Sequence, residues 1–193
     1  MAPIQTELTN SAKGYITSYF KGESFPEGFS YRTELNACSL DFSLDSLKRI
    51  DTLIDQIREK EKPQFEAFME KQANQHFLHL VAFYAGYVAG KSIGMEPVWY
   101  NHEEAIAKVP QLKQLWPDED LFETSVICMF HPQGLASLQY PPLLSLVARL
   151  FQGDKSIFAS ASGIKFTFEK NNKKPEPPVE GWFKKFRRIL NSL

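Results

Sequence analysis

Apolar residues return every three or four positions over two long stretches of this chain and gather in shorter runs between them. Leu44, Leu47, Ile50, Leu53, Ile54 and Ile57 keep the helical period, which predicts a helix over 44–62. Ser43 stands where an N-cap belongs. Asp45 sits in the first turn, and Arg58, Lys60 and Lys62 lie near the end, a charge order that suits the helix dipole. Pro63 marks a break. Phe65, Phe68, Met69, Phe77, Leu80, Val81, Tyr84 and Val88 predict a long helix over 64–89, with Gly90 and Gly94 as stop signals. Its later half, FLHLVAFYAGYVAG, is apolar nearly all round and so predicts the central buried helix. A shorter helix is expected over 9–21, with Tyr15, Ile16, Tyr19 and Phe20 on one side, followed by a loop to Tyr31.

Strand signals come next. Pro97 to Tyr100 and Phe122 to Phe130 are rich in aromatic and β-branched residues, and Ile164 to Glu169 (IKFTFE) alternates with period two. Residues 102–115, interrupted by Pro110, read as a short helix or an irregular excursion. Pro141 and Pro142 open a further helix, 143–152, stopped by Gly153. Helices around a small antiparallel sheet define an α+β fold, and 1–168 is expected to form one domain with an aromatic-rich core.

Residues 169–181 contain three prolines and no apolar periodicity, the composition of a semi-rigid linker. The next twelve residues return to a helical pattern. Trp182, Phe183, Phe186, Ile189, Leu190 and Leu193 fall in an arc of roughly 120°. Lys184, Lys185, Arg187 and Arg188 lie on the other side with Asn191 and Ser192, and no acidic residue interrupts them. A helix this short forms only while its apolar face is covered. An anionic membrane surface, a groove on a protein partner, and the chain's own body each meet that need. Folded body, spacer and short basic aromatic helix together resemble the membrane-targeting tails of bacterial peripheral proteins.

Charge sharpens this picture. The chain carries a net charge of −1, but the tail holds +4 and residues 1–168 hold −5. A body of that sign argues against a nucleic-acid partner, which needs a basic footprint. No secretory signal and no apolar stretch long enough to span a bilayer are visible, so the expected location is the cytoplasm, with peripheral contact at the inner membrane as a variant.

Signals for chemistry are sparse. Cys38 and Cys128 lie far apart in apolar surroundings and read as reduced core thiols. His76 and His79 share a helical face, with His102 and His131 elsewhere, but the HExxH pattern is absent and no metal site is expected. Gly90-Lys91-Ser92 lacks the glycine that a phosphate loop needs five residues earlier, where Ala85 stands. Asp118, Glu119, Asp120 and Glu123 read as a solvated acidic loop. No catalytic residue and no cofactor are assigned.

The order AFYAGYVAGKSIG, EPVWY, a second strand, then PPLLSLVARLFQGDKSI is similar to that of small bacterial α+β domains of unknown function. In those domains a glycine-containing helix leads to a tryptophan strand, and a later helix ends in a glycine turn. The likeness covers roughly residues 44–158 and implies a fold and a bacterial source. The resulting expectation is a non-enzymatic binding or adaptor protein with an unidentified protein partner. An immunity-type, toxin-neutralising role belongs to that class. Peripheral membrane attachment through 182–193 is the alternative, and a small enzyme built on the histidines and acidic residues is a third.

Overall fold

The computed structural model describes residues 6–116, 121–134 and 136–172. It has the expected α+β architecture, with helices packed on a three-stranded antiparallel sheet. Helix α1 (Glu7–Phe20) begins at Thr6, whose hydroxyl accepts the Thr9 amide. Helix α2 (Arg32–Ala37) is one short excursion. Helix α3 (Leu44–Glu61) is capped by Ser43, which accepts from Ser46 N. Its buried stripe is the one the sequence predicts, from Leu47 to Ile57.

The single helix expected over 64–89 is two: α4 (Phe65–Met69) and α5 (Gln72–Ile93). Lys71 is extended at the junction. Two amide side chains stabilise the break. Asn74 Nδ2 donates to the Phe68 carbonyl and Gln75 Nε2 to the Met69 carbonyl, each at 2.8 Å, supplying partners to carbonyls at the end of α4. Helix α5 is the expected central element and packs against α1, α3 and α4. Gly94 closes it in the left-handed conformation (φ 69°), as the stop signal predicts.

The sheet follows α5. Strand β1 (Val98–Tyr100) pairs with β2 (Ile127–Phe130), and β2 pairs with β3 (Leu138–Tyr140). The second strand thus starts at Ile127. Residues 122–124 form a 3₁₀ turn instead, in which Thr124 Oγ1 and Ser125 Oγ donate back to the Leu121 and Phe122 carbonyls. Period two divides the sheet cleanly. Trp99, Cys128, Phe130, Leu138 and Tyr140 join the main core, whereas Tyr100, Ile127 and Met129 turn to the opposite face. That second face is covered by the excursion between β1 and β2, which contains α6 (His102–Lys108) and α7 (Leu112–Leu115). A capping box between Asn101 and Glu104 starts α6.

Helix α8 (Pro142–Val147) opens on a proline and runs through a π turn, Ala148–Gln152, to Gly153. Helix α9 (Ile157–Asn172) replaces the strand expected over 164–169. A strand would place Ile164, Phe166 and Phe168 on one face. In the helix Ile164 and Phe168 share a face and pack on the core, and Phe166 stands 68% exposed. The residues expected to begin the linker, 169–172, form the last turn of α9. No described helix is long and apolar enough to cross a membrane.

Candidate functional site

The chemistry-bearing side chains are scattered, and most are engaged in holding the fold. His76 Nε2–H donates to the Pro26 carbonyl (3.0 Å), so its Nδ1 accepts from Tyr15 Oη (2.7 Å). This ring ties α1 and the following loop to α5. His79 Nδ1–H donates to the Gln75 carbonyl, and its ring packs among Tyr15, Phe83 and Phe122. Burial pushes its pKa below the usual imidazole value. His102 donates to the Trp116 carbonyl, and His131 bonds Ser137 Oγ. Among the described residues no group of three or more His, Cys, Asp or Glu side chains could hold a metal ion. Cys38 and Cys128 are buried free thiols, and burial raises both pKa values. Gly90-Lys91-Ser92 lies in the last turns of α5, the negative end of the helix dipole and the wrong end for a phosphate. Asp118, Glu119 and Asp120 lie outside the described residues.

One buried ionic cluster was not anticipated from the sequence. Asp51, on α3, accepts from Ile157 N (2.9 Å), Phe158 N (3.2 Å) and Ser156 Oγ (2.6 Å), so one helix caps the start of another. Arg149 pairs with Asp51 (3.3 Å) and with Asp55 (2.5 Å), and Arg58 donates to the Arg149 carbonyl. Every group here is consumed in fastening α9 and the π turn to α3. The cluster is a joint.

Two clefts remain. The first, about 340 Å³, lies where the α3–α4 connection meets the start of α5. Its lining includes Tyr31, Glu61, Lys71 and Asn74, and Tyr31 Oη donates to Glu61 (2.6 Å). The second, about 390 Å³, lies at the C-terminal end of α5 and is lined by Phe42, Tyr87, Lys91, Gly94, Met95, Glu96 and Pro97. Its size is near the lower end of the ~300–1,000 Å³ typical of ligand clefts.

The second cleft is the better candidate because of its aromatic surroundings. Like Tyr31 in the first cleft (φ 55°), Phe42 holds a left-handed backbone conformation (φ 58°), which is costly for a bulky residue. It is held there by its own amide, which donates to Tyr84 Oη (2.8 Å), and by the ring of Tyr84 at 5.0 Å. Phe20, itself 47% exposed, stacks on the outer side of Phe42 at 5.3 Å, so the aromatic surface continues from the cleft to the end of α1. Tyr87, on the cleft wall, turns its buried Oη toward Trp99 Nε1 in the core beneath, and neither group bonds any other partner among the described residues. Burial, reinforced by the charge of Glu96, pushes the Tyr87 phenol up to about 12, so it remains a donor at neutral pH. Lys91 lies over the Phe42 ring at 5.9 Å. This arrangement suits the capture of an apolar or aromatic side chain, with a cation and a carboxylate at the rim.

The cleft is not legible in the sequence, because Phe42 meets residues 87–97 only in the folded chain. The signals available were Gly94, which turns the chain back onto Met95–Pro97, and Gly90, where a Cβ would collide with the Met95 carbonyl. The docking residues expected from sequence, Trp182, Phe183, Lys184, Lys185, Phe186, Arg187, Arg188, Ile189, Leu190 and Leu193, lie outside the described residues. No family model, curated protein or solved structure matches the chain.

Proposed function

We propose that this chain is a non-enzymatic binding or adaptor protein that grips an apolar segment of a protein partner in the cleft at the end of α5. The observation that carries this reading is the half-buried Phe42, set between the tilted ring of Tyr84 and the exposed, stacked ring of Phe20 at the mouth of a cleft whose walls are apolar except for Lys91 and Glu96. The engagement of the histidines and of Asp51 in structural hydrogen bonds supports recognition over catalysis. An immunity-type role, in which a toxin is neutralised by occupation, belongs to this class. The expected partner segment presents one or two large apolar side chains, which gain about 1.5–3 kcal/mol each on full burial.

A photo-crosslinking residue placed at Lys91 in the full chain, expressed in its native host, tests the proposal. One protein should be crosslinked from that position, the adduct should disappear with Met95→Asp, and the same probe at Gln64 should not give it. Identical adducts from both positions, or an adduct indifferent to Met95→Asp, would reject the cleft as the binding site.

A further inference from the structure

We infer that residues 182–193 occupy this same cleft in their own chain, so that the tail and a partner segment compete for it. The inference rests on the reading of the cleft as a binding site and adds its resident occupant. Three observations lead to it.

The first is position. Asp51 caps the first turn of α9, and Lys48, one turn earlier on α3, lies over the Phe158 ring at 4.6 Å. Helices α3 and α9 are therefore antiparallel, and the end of α9 lies beside the start of α3. The C-terminal half of α5 lies at that same end. Tyr84 Oη bonds Ser46 Oγ and the Phe42 amide, and Lys91 Nζ reaches the Asp41 carbonyl. From Ile157 to Asn172 α9 rises about 22 Å, whereas α3 covers only about 10 Å between Asp51 and Leu44. The last turns of α9 thus run past the start of α3, in agreement with the exposure of residues 169–172. The chain leaves α9 at the end of the molecule that carries the cleft.

The second is reach. Nine residues, 173–181, separate α9 from Trp182, and three are proline. An extended segment of that kind covers about 28 Å. That exceeds the radius of gyration of about 16 Å expected for a domain of this length.

The third is chemistry. The tail offers a stripe of Trp182, Phe183, Phe186, Ile189, Leu190 and Leu193, and the cleft offers Phe42, Tyr87, Met95 and Pro97 under the exposed ring of Phe20. The four tail cations face a body of net charge −5, with Glu96 and Lys91 on the cleft, and with Asp41 and Asp45 beside it paired to Arg49 (3.4 Å) and Lys48 (2.7 Å). Hydrogen bonds from Ser43 hold Asp41 below the usual carboxylate pKa, and Lys48 does the same for Asp45, so both are ionised at neutral pH. The apolar stripe of the tail thus has an apolar seat within its tether, and the net charge of the body favours its approach.

Disulfide trapping in the full chain tests this directly. Met95→Cys is combined with Ile189→Cys, and the control pair is Gln64→Cys with Ile189→Cys. The native thiols, Cys38 and Cys128, are buried and do not compete. The 95–189 bridge should close within one molecule at least about tenfold faster than the control, a rate ratio equivalent to about 1.4 kcal/mol. Phe186→Asp should bring it down to the control rate. Equal rates for the two pairs, or bridges formed chiefly between molecules, would overturn the inference. The outcome is separable from that of the partner test. Partner crosslinking at Lys91 without the 95–189 bridge leaves the binding site and removes the tail. The bridge without a partner adduct supports the tail and removes the partner.

Discussion

Gly86 shows how far a single residue governs this fold. It lies inside α5, where glycine is otherwise a poor choice. A Cβ there would strike the Trp99 indole at Cη2 and Cζ2 and come within 3.3 Å of Cys128 Sγ. The indole cannot yield, because Phe83 meets it edge-on at 5.0 Å and it is fully buried. Gly86→Ala should therefore cost about 3 kcal/mol, at the upper end of overpacking penalties, and shift the tryptophan emission. Gly14, exposed on α1 with nothing within 4 Å of its added Cβ, is the counterpart. Gly14→Ala should stabilise by about 0.5–1 kcal/mol. Urea titration of both variants checks the pair, and equal effects would contradict the assigned packing. His79 makes a second residue-scale prediction. Its folded pKa lies below the unfolded value of 6.5, chiefly through burial, so the unfolded state takes up its proton first as pH falls. The stability it supports is complete above pH 6.5 and declines below it, until the folded state is protonated too. The unfolding midpoint should drop between about pH 7.5 and about pH 5.5, and His79→Gln should reduce that drop. His131, which burial and then Lys108 also hold below the usual value, leaves a residual slope.

At the scale of elements, the joint between α3 and α9 is the contact with the clearest energetic consequence. Asp51 satisfies two amides at the start of α9 and one hydroxyl, and it pairs with Arg149. Asp51→Ala leaves those donors buried and Arg149 with Asp55 alone. A loss of about 3 kcal/mol is expected from an unpartnered charge and a lost cap together. Asp51→Asn, which keeps one acceptor oxygen, should recover part of it. Hydrogen exchange at Ile157 and Phe158 should accelerate in the alanine variant ahead of exchange in α5. Uniform acceleration would mean that Asp51 acts on global stability alone. The elements also show where sequence periodicity succeeds and fails. Helix α3 and the buried half of α5 are legible because long apolar stripes have no other interpretation. The segment IKFTFE satisfies two periods at once, and its six residues contain nothing that chooses between them. Asp51, over a hundred positions earlier, makes the choice by capping a helix there. Strand β3 is only three residues long, too short for any periodicity, and exists because β2 offers it an edge.

For the whole molecule, the charge asymmetry between tail and body gives the sharpest expectation. If the cations of residues 184–188 help to seat the tail, raising ionic strength should slow closure of the 95–189 bridge. From about 0.1 to 1 M salt the Debye length shrinks from about 10 to 3 Å, which screens the exposed carboxylates from the tail. A several-fold slowing that leaves the rate above the control would reveal an apolar seat with electrostatic assistance. A rate independent of salt would assign the seat to apolar contact alone. The same asymmetry bears on the membrane alternative. Under that alternative anionic vesicles bind full-length protein more than a chain ending at Asn172, and equal co-sedimentation would remove membrane attachment through the tail.

The sequence alone determined the α+β class, helix α3 and the central helix, because long apolar runs repeat often enough to be unambiguous. It also determined the opposed charges of tail and body, since net charge is independent of folding. Only tertiary structure decided that α9 is a helix, that the 102–115 excursion roofs the second face of the sheet, and that the histidines are tied into the scaffold. The cleft belongs to tertiary structure as well. Phe42, Tyr87 and Met95 become neighbours when Tyr84 fixes the Phe42 turn and Gly94 folds the chain back, and no spacing along the chain encodes that meeting.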